Sequence, residues 1–447
     1  MSLDEYLVAA RRALAQAGGD GASVLLWNTR RERTQFKYGS IFAETLEESR
    51  TLFVRVQSGA REAVGSTTTP DDDSVRRLAE NLMAGVEHGA AAAPLPGPQR
   101  YAEVEPFEVA TALWAPGQRA AGVSAVLELA ASAGLSAFGE YFTTVEETAV
   151  VNTAGVEVVG ARSLAGLSVW AEGGGLASYG SGYARDAAQL NPIEIVETAI
   201  AKAMPLPYAD PPRAGAYPAV LEPSATADLL AYLARDARVF SADERQGGLG
   251  LRLAPGEDAE LVSLLEDPLS PDGLLSPFDA EGVARRAVPV VSRGKVGDLV
   301  HDMRTAAQAG VSSTGHAAHP AAALGATGPT PCSIFMEHGE GELEGMIAAT
   351  GDGLLLSRLT GLTPVGRDGG LVSGVATGGV FRIQSGIVTH RLPDLPFVAS
   401  VTALLAAVRS VSRERKLMMY GERRDLAVVA PAVRVSAFPV VAPPPAG

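Results

Sequence analysis

Cysteine and histidine are scarce in this chain, whose 447 residues include one cysteine, Cys332, and six histidines. A single cysteine cannot form a disulfide within the chain, and it excludes a zinc site built from four thiolates. An isolated cysteine most often behaves as a small buried apolar residue, so we expect Cys332 to lie in the interior. Few combinations of side chains therefore remain that could bind a transition metal.

The sequence also lacks a long apolar run and an excess of basic residues. No stretch reaches the roughly 18 uninterrupted apolar residues of a membrane-spanning helix. The chain opens with Asp4 and Glu5 where a secretory signal would carry basic residues, so we expect a cytoplasmic protein without a membrane role. Its 37 basic and 51 acidic residues give a formal net charge of −14, which disfavours direct binding to nucleic acid.

Apolar residues, glycine and proline are abundant, and together they indicate a β-rich globular chain. Hydrophobic residues make up 47% of the sequence, and 49 glycines and 29 prolines are scattered without a period. The prolines of residues 205–212 are incompatible with a helix interior or a central strand, so we place a domain boundary there. The predicted fold class is α+β, with an N-terminal helix-and-antiparallel-sheet domain at residues 1–206 and a C-terminal β-rich domain at residues 207–447.

Local patterns predict the elements of both domains. Acids at residues 71–73 favour the start of a helix, and the Asn-Thr-Ala-Gly stretch at residues 152–155 is typical of a hairpin turn. The predicted helices cover residues 3–17, 74–88, 122–133, 192–204, 224–239 and 401–412, and strands are expected at 23–61, 137–168 and 217–221 and up to about 389.

Only one pair of histidines is close in sequence, His316 and His319, and it is the candidate start of a metal site. A helical zinc peptidase needs two histidines about one turn apart and a glutamate base, a pattern that does not occur here. With no third ligand nearby, we favour a loop in which both histidines hydrogen-bond to backbone or water.

Other sequence motifs that would indicate a catalytic or phosphate-binding site are incomplete, and we assign no catalytic residue. The glycine-flanked serines at residues 310–315 have one residue too many for a nucleophile elbow. Gly294 and Lys295 lack the rest of a phosphate-binding loop, so we interpret them as a turn. The acids at residues 337–342 are interpreted as an exposed loop, because they would repel a pyrophosphate.

A series of motifs in the second half is similar to the TldD/PmbA family, whose members have been labelled modulators of DNA gyrase. The order and spacing of the motifs carry the resemblance, and the N-terminal half fits more loosely. The motifs lie at residues 276–283, 294–299, 302–306, 310–317, 342–347, 353–356 and 373–386. The resemblance implies an N-terminal α+β domain and a C-terminal β-rich domain, assembled as a dimer.

In this family, the zinc-bearing subunit carries His-Glu-x-x-x-His on a helix near the start of the second domain. We match that motif to residues 231–236, where Ala231, Tyr232 and Asp236 cannot form a catalytic zinc site. The resemblance therefore implies a TldE-type subunit without a cofactor of its own, paired with a zinc-bearing paralogue. The chain also departs from the family pattern at residues 373–377 and 396–400, so pairing with a second copy of itself stays open.

Three functions follow as hypotheses. The first is a non-catalytic subunit of a zinc metallopeptidase complex that acts on unfolded peptides. The second is an independent metal-dependent hydrolase that uses His316, His319 and a distant carboxylate. The third is a protein-binding modulator of gyrase or another target.

Overall fold

The computed structural model describes residues 3–203, 206–235, 260–319, 328–366, 371–421 and 425–441. Two sheets dominate it, one formed by strands between Gly21 and Ala184 and the other by strands between Gly215 and Val440. The predicted α+β class is confirmed. In the sequence, the proline segment lies after the strands of the first sheet and before those of the second, and a domain boundary at residue 206 stays a prediction.

The first sheet is an antiparallel meander in the order β4-β3-β2-β1-β5-β6-β7. The predicted turn joins β5 to β6, where the Asn152 side chain accepts a hydrogen bond from the Val156 N–H (3.0 Å) and Gly155 has φ +98°. The strands are β1 Gly21–Lys37, β2 Ser40–Ser58, β3 Arg61–Thr67, β4 Ala90–Ala91, β5 Ser136–Asn152, β6 Glu157–Gly173 and β7 Leu176–Ala184.

Helices cover one face of this sheet. Asp71 caps the predicted second helix by accepting the Ser74 N–H at 2.9 Å, which confirms the interpretation of this acidic segment as a helix start. The helices are α1 Leu3–Leu14, α2 Asp72–Gly85, α3 Val109–Ala112, α4 Pro116–Ser132 and α5 Pro192–Lys202. The opposite face, including Leu25, Phe53 and Val150, packs against the second half of the chain through Phe278.

The second sheet contains both parallel and antiparallel pairs, and its main strand order is β11-β10-β9-β12-β18-β8-β13-β14-β15. Outside this order, β16 pairs with β14 and β17 pairs with β18. Its strands are β8 Gly215–Leu221, β9 Leu264–Glu266, β10 Val288–Ser292, β11 Lys295–Val296, β12 Ser333–Met336, β13 Gly353–Val365, β14 Leu371–Gln384, β15 Ile387–Arg391, β16 Leu395–Ala399, β17 Val408–Tyr420 and β18 Leu426–Val440. Its helices are α6 Pro223–Arg235, α7 Met303–Ala309, α8 Leu343–Thr350 and α9 Val401–Ala406.

The prediction of a helix over residues 401–412 is wrong in its second half. Helix α9 ends at Ala406, and β17 begins at Val408. Val408 and Val411 are buried and pair with Val435 and Val433 of β18. Pairing of β-branched residues with a neighbouring strand overrides the local helical pattern here.

Helix α6 leads from β8 into the largest core, where Leu229, Leu230 and Leu233 are buried. Its predicted extent reached residue 239, but residues 236–239 lie outside the described part of the chain. In the part that the structure describes, no helix has both the length and the apolar character needed to cross a bilayer.

Candidate functional site: the cleft between the sheets

A cleft of about 530 Å³ lies between the first sheet and the second half of the chain. Strands β5 and β6 form one wall with Glu146, Thr148 and Arg162, and the segment at residues 275–280 forms the opposite wall. Ala234, near the end of α6, also lines it. The volume is that of a pocket for a small molecule or a short peptide segment.

The buried carboxylate of Asp279 shapes the second wall. It accepts backbone N–H groups from Glu281 (3.0 Å), Val283 (2.9 Å) and Ala317 (2.8 Å), and it thereby joins two of the family-like motifs. Gly282, with φ +77°, completes the turn, and its carbonyl accepts the Tyr101 hydroxyl of the first half at 2.9 Å. The segment is therefore fixed to both halves of the chain.

Ion pairs across the two halves lie beside this turn. Arg55 of β2 contacts Glu62 of β3 (2.7 Å) and Glu281 (2.9 Å), and Arg304 of α7 also pairs with Glu62. Burial and the neighbouring Asp279 carboxylate raise the pKa of Glu281 to about 7, against the opposing effect of Arg55. This carboxyl group therefore titrates near neutral pH.

Glu281→Gln is expected to flatten the pH dependence of stability between pH 5 and pH 7. Because folding raises the pKa of Glu281 above its ordinary 4.5, the folded state binds the proton more tightly, and this stabilisation is lost as the pH rises towards 7. Between pH 5 and pH 7, the free energy of unfolding measured with urea should fall by about 1–3 kcal/mol more for the natural chain than for Glu281→Gln. Glu340→Gln, at a side chain with 84% exposure, is the control. Parallel profiles for the natural chain and Glu281→Gln would contradict the assignment.

His316 is fully buried, and its partners are side chains. Its Nδ1 atom lies 2.8 Å from the Thr314 hydroxyl, and its Nε2 atom lies 3.3 Å from Oε1 of Glu266. The Glu266 carboxylate accepts the backbone N–H groups of Cys332 (2.8 Å) and Ser333 (3.0 Å). The hydrogen bond that the structure gives the His316 ring is thus to a side chain, where backbone or water was expected from the sequence.

Glu266 is held in its charged form although it is fully buried. Burial acts to raise its pKa, but His316 and the Cys332 N–H act in the opposite direction, and the net shift is downward. This carboxylate fixes Cys332 and the start of β12 beside the cleft.

His319 occupies a different environment from His316. Its ring lies against Trp27 (4.6 Å between ring centroids) and Phe53 (5.5 Å) on the first sheet. Burial acts to raise the pKa of Glu146, but Arg162 and His319 act to lower it. The second effect is larger, and the net shift of the pKa is downward. Each histidine thus faces its own carboxylate, and within the described ranges no group of three or more His, Cys, Asp or Glu side chains could hold a metal ion.

Cys332 is buried, as its isolation in the sequence predicts. Burial, together with the neighbouring Glu266, raises the pKa of its thiol to about 12. The thiol therefore stays protonated at neutral pH, and it is a poor nucleophile and a poor metal ligand.

Helix α6 carries neither histidine nor glutamate along its sequence PSATADLLAYLAR. Its acidic residue, Asp228, accepts the Arg358 guanidinium at both oxygens (2.8 Å each), the Leu359 N–H (2.8 Å) and the Tyr420 hydroxyl (2.8 Å). The Arg358 guanidinium also lies over the Tyr179 ring, 4.3 Å from its centroid. Burial and Asp228 raise the pKa of Tyr420, which remains a hydrogen-bond donor.

A zinc ion does not fit the residues of this helix. Zinc needs nitrogen, sulfur or carboxylate donors with free lone pairs, and a catalytic site needs three such protein ligands. Ala231 offers no donor, the Asp228 carboxylate is saturated by four hydrogen bonds, and Asp236 lies outside the described residues. Asp228 was not identified from the sequence. The pattern that could have indicated it is an acidic residue between apolar positions of a helix.

The remaining sequence interpretations concern surface features. Glu337, Glu340 and Glu342 are exposed, and Arg413 lies 3.1 Å from Glu340, so the acidic segment is a solvated loop as expected. Arg293 and Gly294, both with positive φ, form a turn between β10 and β11, which confirms the interpretation for Gly294, whereas Lys295 is the first residue of β11.

Comparison with known proteins assigns most of the chain to one family. Residues 214–442 match the model of the PmbA/TldA metallopeptidase C-terminal domain, and residues 117–204 match that of the PmbA/TldA metallopeptidase central domain. No curated protein matches the chain.

Solved structures share the fold over nearly the full length. TldE from Thermococcus kodakarensis aligns with a TM-score of 0.84 at 20% identity, covering 99% of this chain and 100% of that one. A Thermotoga maritima protein described as a candidate modulator of a DNA gyrase aligns with a TM-score of 0.80 at 21% identity, covering 98% and 99%. A Bacteroides thetaiotaomicron protein with a similar description gives 0.77 at 17% identity, covering 99% and 100%. With both family models matched in order and the fold shared from end to end, this chain belongs to the PmbA/TldD family.

Proposed function

We propose that this chain is a non-catalytic, TldE-type subunit of a cytoplasmic zinc metallopeptidase complex that acts on unfolded peptides. The observation that carries the proposal is the chemistry of α6 at the head of the metallopeptidase-type C-terminal domain. The helix has no histidine or glutamate in any register, and its acid is committed to Arg358 and Tyr420. The zinc and the general base would therefore come from a paralogous partner.

The environments of the two candidate histidines also support this proposal over an independent metal hydrolase. His316 is enclosed with Glu266 and Thr314, and His319 lies on the aromatic side chains of the first sheet. A catalytic metal needs ligands that converge on one point and an open coordination position. His316 contacts side chains within the second half of the chain, and His319 packs that half against the first sheet.

Coexpression with a paralogue that carries His-Glu-x-x-x-His tests the proposal. The two chains are expected to copurify, with zinc-dependent hydrolysis of an unfolded peptide that is lost when the partner's motif glutamate is changed to glutamine. Zinc bound per complex should be unchanged by His319→Gln in this chain, because this histidine is not a ligand. His88→Gln, at an exposed side chain, serves as the matched control.

Two results would contradict the proposal. One is zinc bound in stoichiometric amount by this chain alone and lost on substitution of His316 or His319. The other is failure to associate with a zinc-bearing paralogue while the purified chain hydrolyses peptides without it.

A further inference from the structure

Two arginines line the cleft, and their guanidinium groups differ in their hydrogen-bond partners. Arg162 donates to Glu146 at 2.9 Å, and both side chains are largely buried, so this pair neutralises itself. Arg285, on the opposite wall, has no carboxylate within ion-pair distance in the described ranges of the chain. Its Nε donates to the Phe278 carbonyl at 3.1 Å, and its Nη1 is buried with no hydrogen-bond partner among the residues that the structure describes.

The two buried carboxylates that interact with the charge of Arg285, Asp279 and Glu266, already accept backbone hydrogen bonds. Asp279 accepts three backbone N–H groups, and Glu266 accepts those of Cys332 and Ser333. Their charges act on Arg285 at longer range, but neither supplies an acceptor to Nη1. A buried guanidinium N–H that lacks an acceptor is costly, and a ligand oxygen in the cleft would satisfy it.

The remainder of the lining indicates the chemistry of that ligand. Apolar groups from Leu275, Pro277, Phe278, Pro331 and Leu426 surround the cleft. The carboxylates of Glu146, Asp279 and Asp425 also line it, which disfavours a polyanion such as a nucleotide. A single carboxylate on an apolar chain matches both features, and a guanidinium binds a carboxylate through paired, charge-assisted hydrogen bonds.

We propose that the cleft binds the C-terminal end of a peptide, with the terminal carboxylate on Arg285 and the last side chains against the apolar wall. A volume of about 530 Å³ holds only a short segment, so binding would select chain ends over the middle of a folded protein. The inference deepens the proposed function, since it makes this subunit the one that holds the carboxyl end of a substrate or product peptide.

Fluorescence anisotropy with the full chain alone tests the inference. The probe is an alanine–leucine hexapeptide that carries fluorescein at its amino end, in one form with a free carboxylate and in another with a terminal amide. We expect the free carboxylate to bind about tenfold more tightly than the amide, as expected for a charge-assisted hydrogen bond. Arg285→Met should abolish that ratio, and Arg285→Lys should retain part of it. Arg293→Met, at a side chain with 72% exposure, should leave the ratio unchanged.

The ratio of the two affinities is compared within each variant, so a partly unfolded sample does not change it. Equal affinities in the natural chain, no binding of either peptide, or a ratio that survives Arg285→Met would overturn the inference. Binding of an amidated peptide with an internal glutamate as tightly as the free carboxylate would overturn the assignment to chain ends. Zinc content and copurification with a paralogue test the proposed function separately, because neither depends on Arg285.

Discussion

Asp228→Ala is expected to lower the free energy of unfolding of the C-terminal half by about 3–5 kcal/mol, because it leaves a buried guanidinium without its counter-charge. In the ion pair between Arg358 and Asp228, the side chains are 13% and 3% exposed. The same carboxylate accepts from Leu359 and Tyr420, so the substitution leaves these donors unsatisfied as well. Thermal unfolding should show a midpoint lower by roughly 10 °C.

A double substitution separates the ion pair from the packing around it. Asp228→Ala with Arg358→Met removes both charges, and it should recover part of the lost stability, since the uncompensated charge is then absent. Asp73→Ala breaks an exposed pair with Arg76 and should change stability by less than about 1 kcal/mol. A midpoint for Asp228→Ala that equals that of Asp73→Ala would show that the cluster on α6 does not stabilise this domain.

Glu266→Gln is expected to lower the free energy of unfolding by about 2–4 kcal/mol at pH 7, because an amide presents one acceptor oxygen where the carboxylate presents two. Both oxygens are engaged: Oε1 accepts the Cys332 N–H and lies near His316, and both oxygens accept the Ser333 N–H at 3.0 Å. The amide nitrogen of glutamine would face a donor and repel it. Urea unfolding at neutral pH measures this loss.

The acid limb of the stability profile gives a second measure of Glu266. Folding lowers the pKa of Glu266 below its ordinary 4.5, so its contribution is present above pH 4.5 and is lost as the pH falls through the lower folded value. The natural chain should therefore lose stability more steeply below pH 4.5 than Glu266→Gln does. Glu260→Gln, at a side chain with 62% exposure, is the control. An acid limb of equal slope in the natural chain and Glu266→Gln would contradict the buried charged state.

Elements with a strong local signal were predictable from the sequence. The cap at Asp71, the turn after Asn152 and the start of α6 each depend on residues within a few positions. The start of β17 was not predictable, because its stability comes from pairing with β18, and the apolar residues around Val408 fit either a helix or a strand.

The candidate site depends on contacts that are distant in the sequence. His316 is two residues from Thr314, which a local search could find, but Glu266 lies 50 positions earlier and carries no motif around it. No sequence pattern indicated Arg285, because its significance comes from a buried Nη1 that has no partner in the described part of the chain and from the residues across the cleft. The absence of zinc ligands on α6 could be predicted from the sequence, because that prediction needs only the residue types of one helix.

The most direct test of the central claim is a metal and activity measurement on the purified chain alone, with an unfolded peptide as substrate. Because α6 offers no histidine or glutamate and Asp228 is saturated, we expect no stoichiometric zinc and no hydrolysis that a chelator can inhibit. Addition of a zinc-bearing paralogue should then produce chelator-sensitive activity. Zinc-dependent hydrolysis by this chain without a partner would contradict its assignment as the non-catalytic subunit.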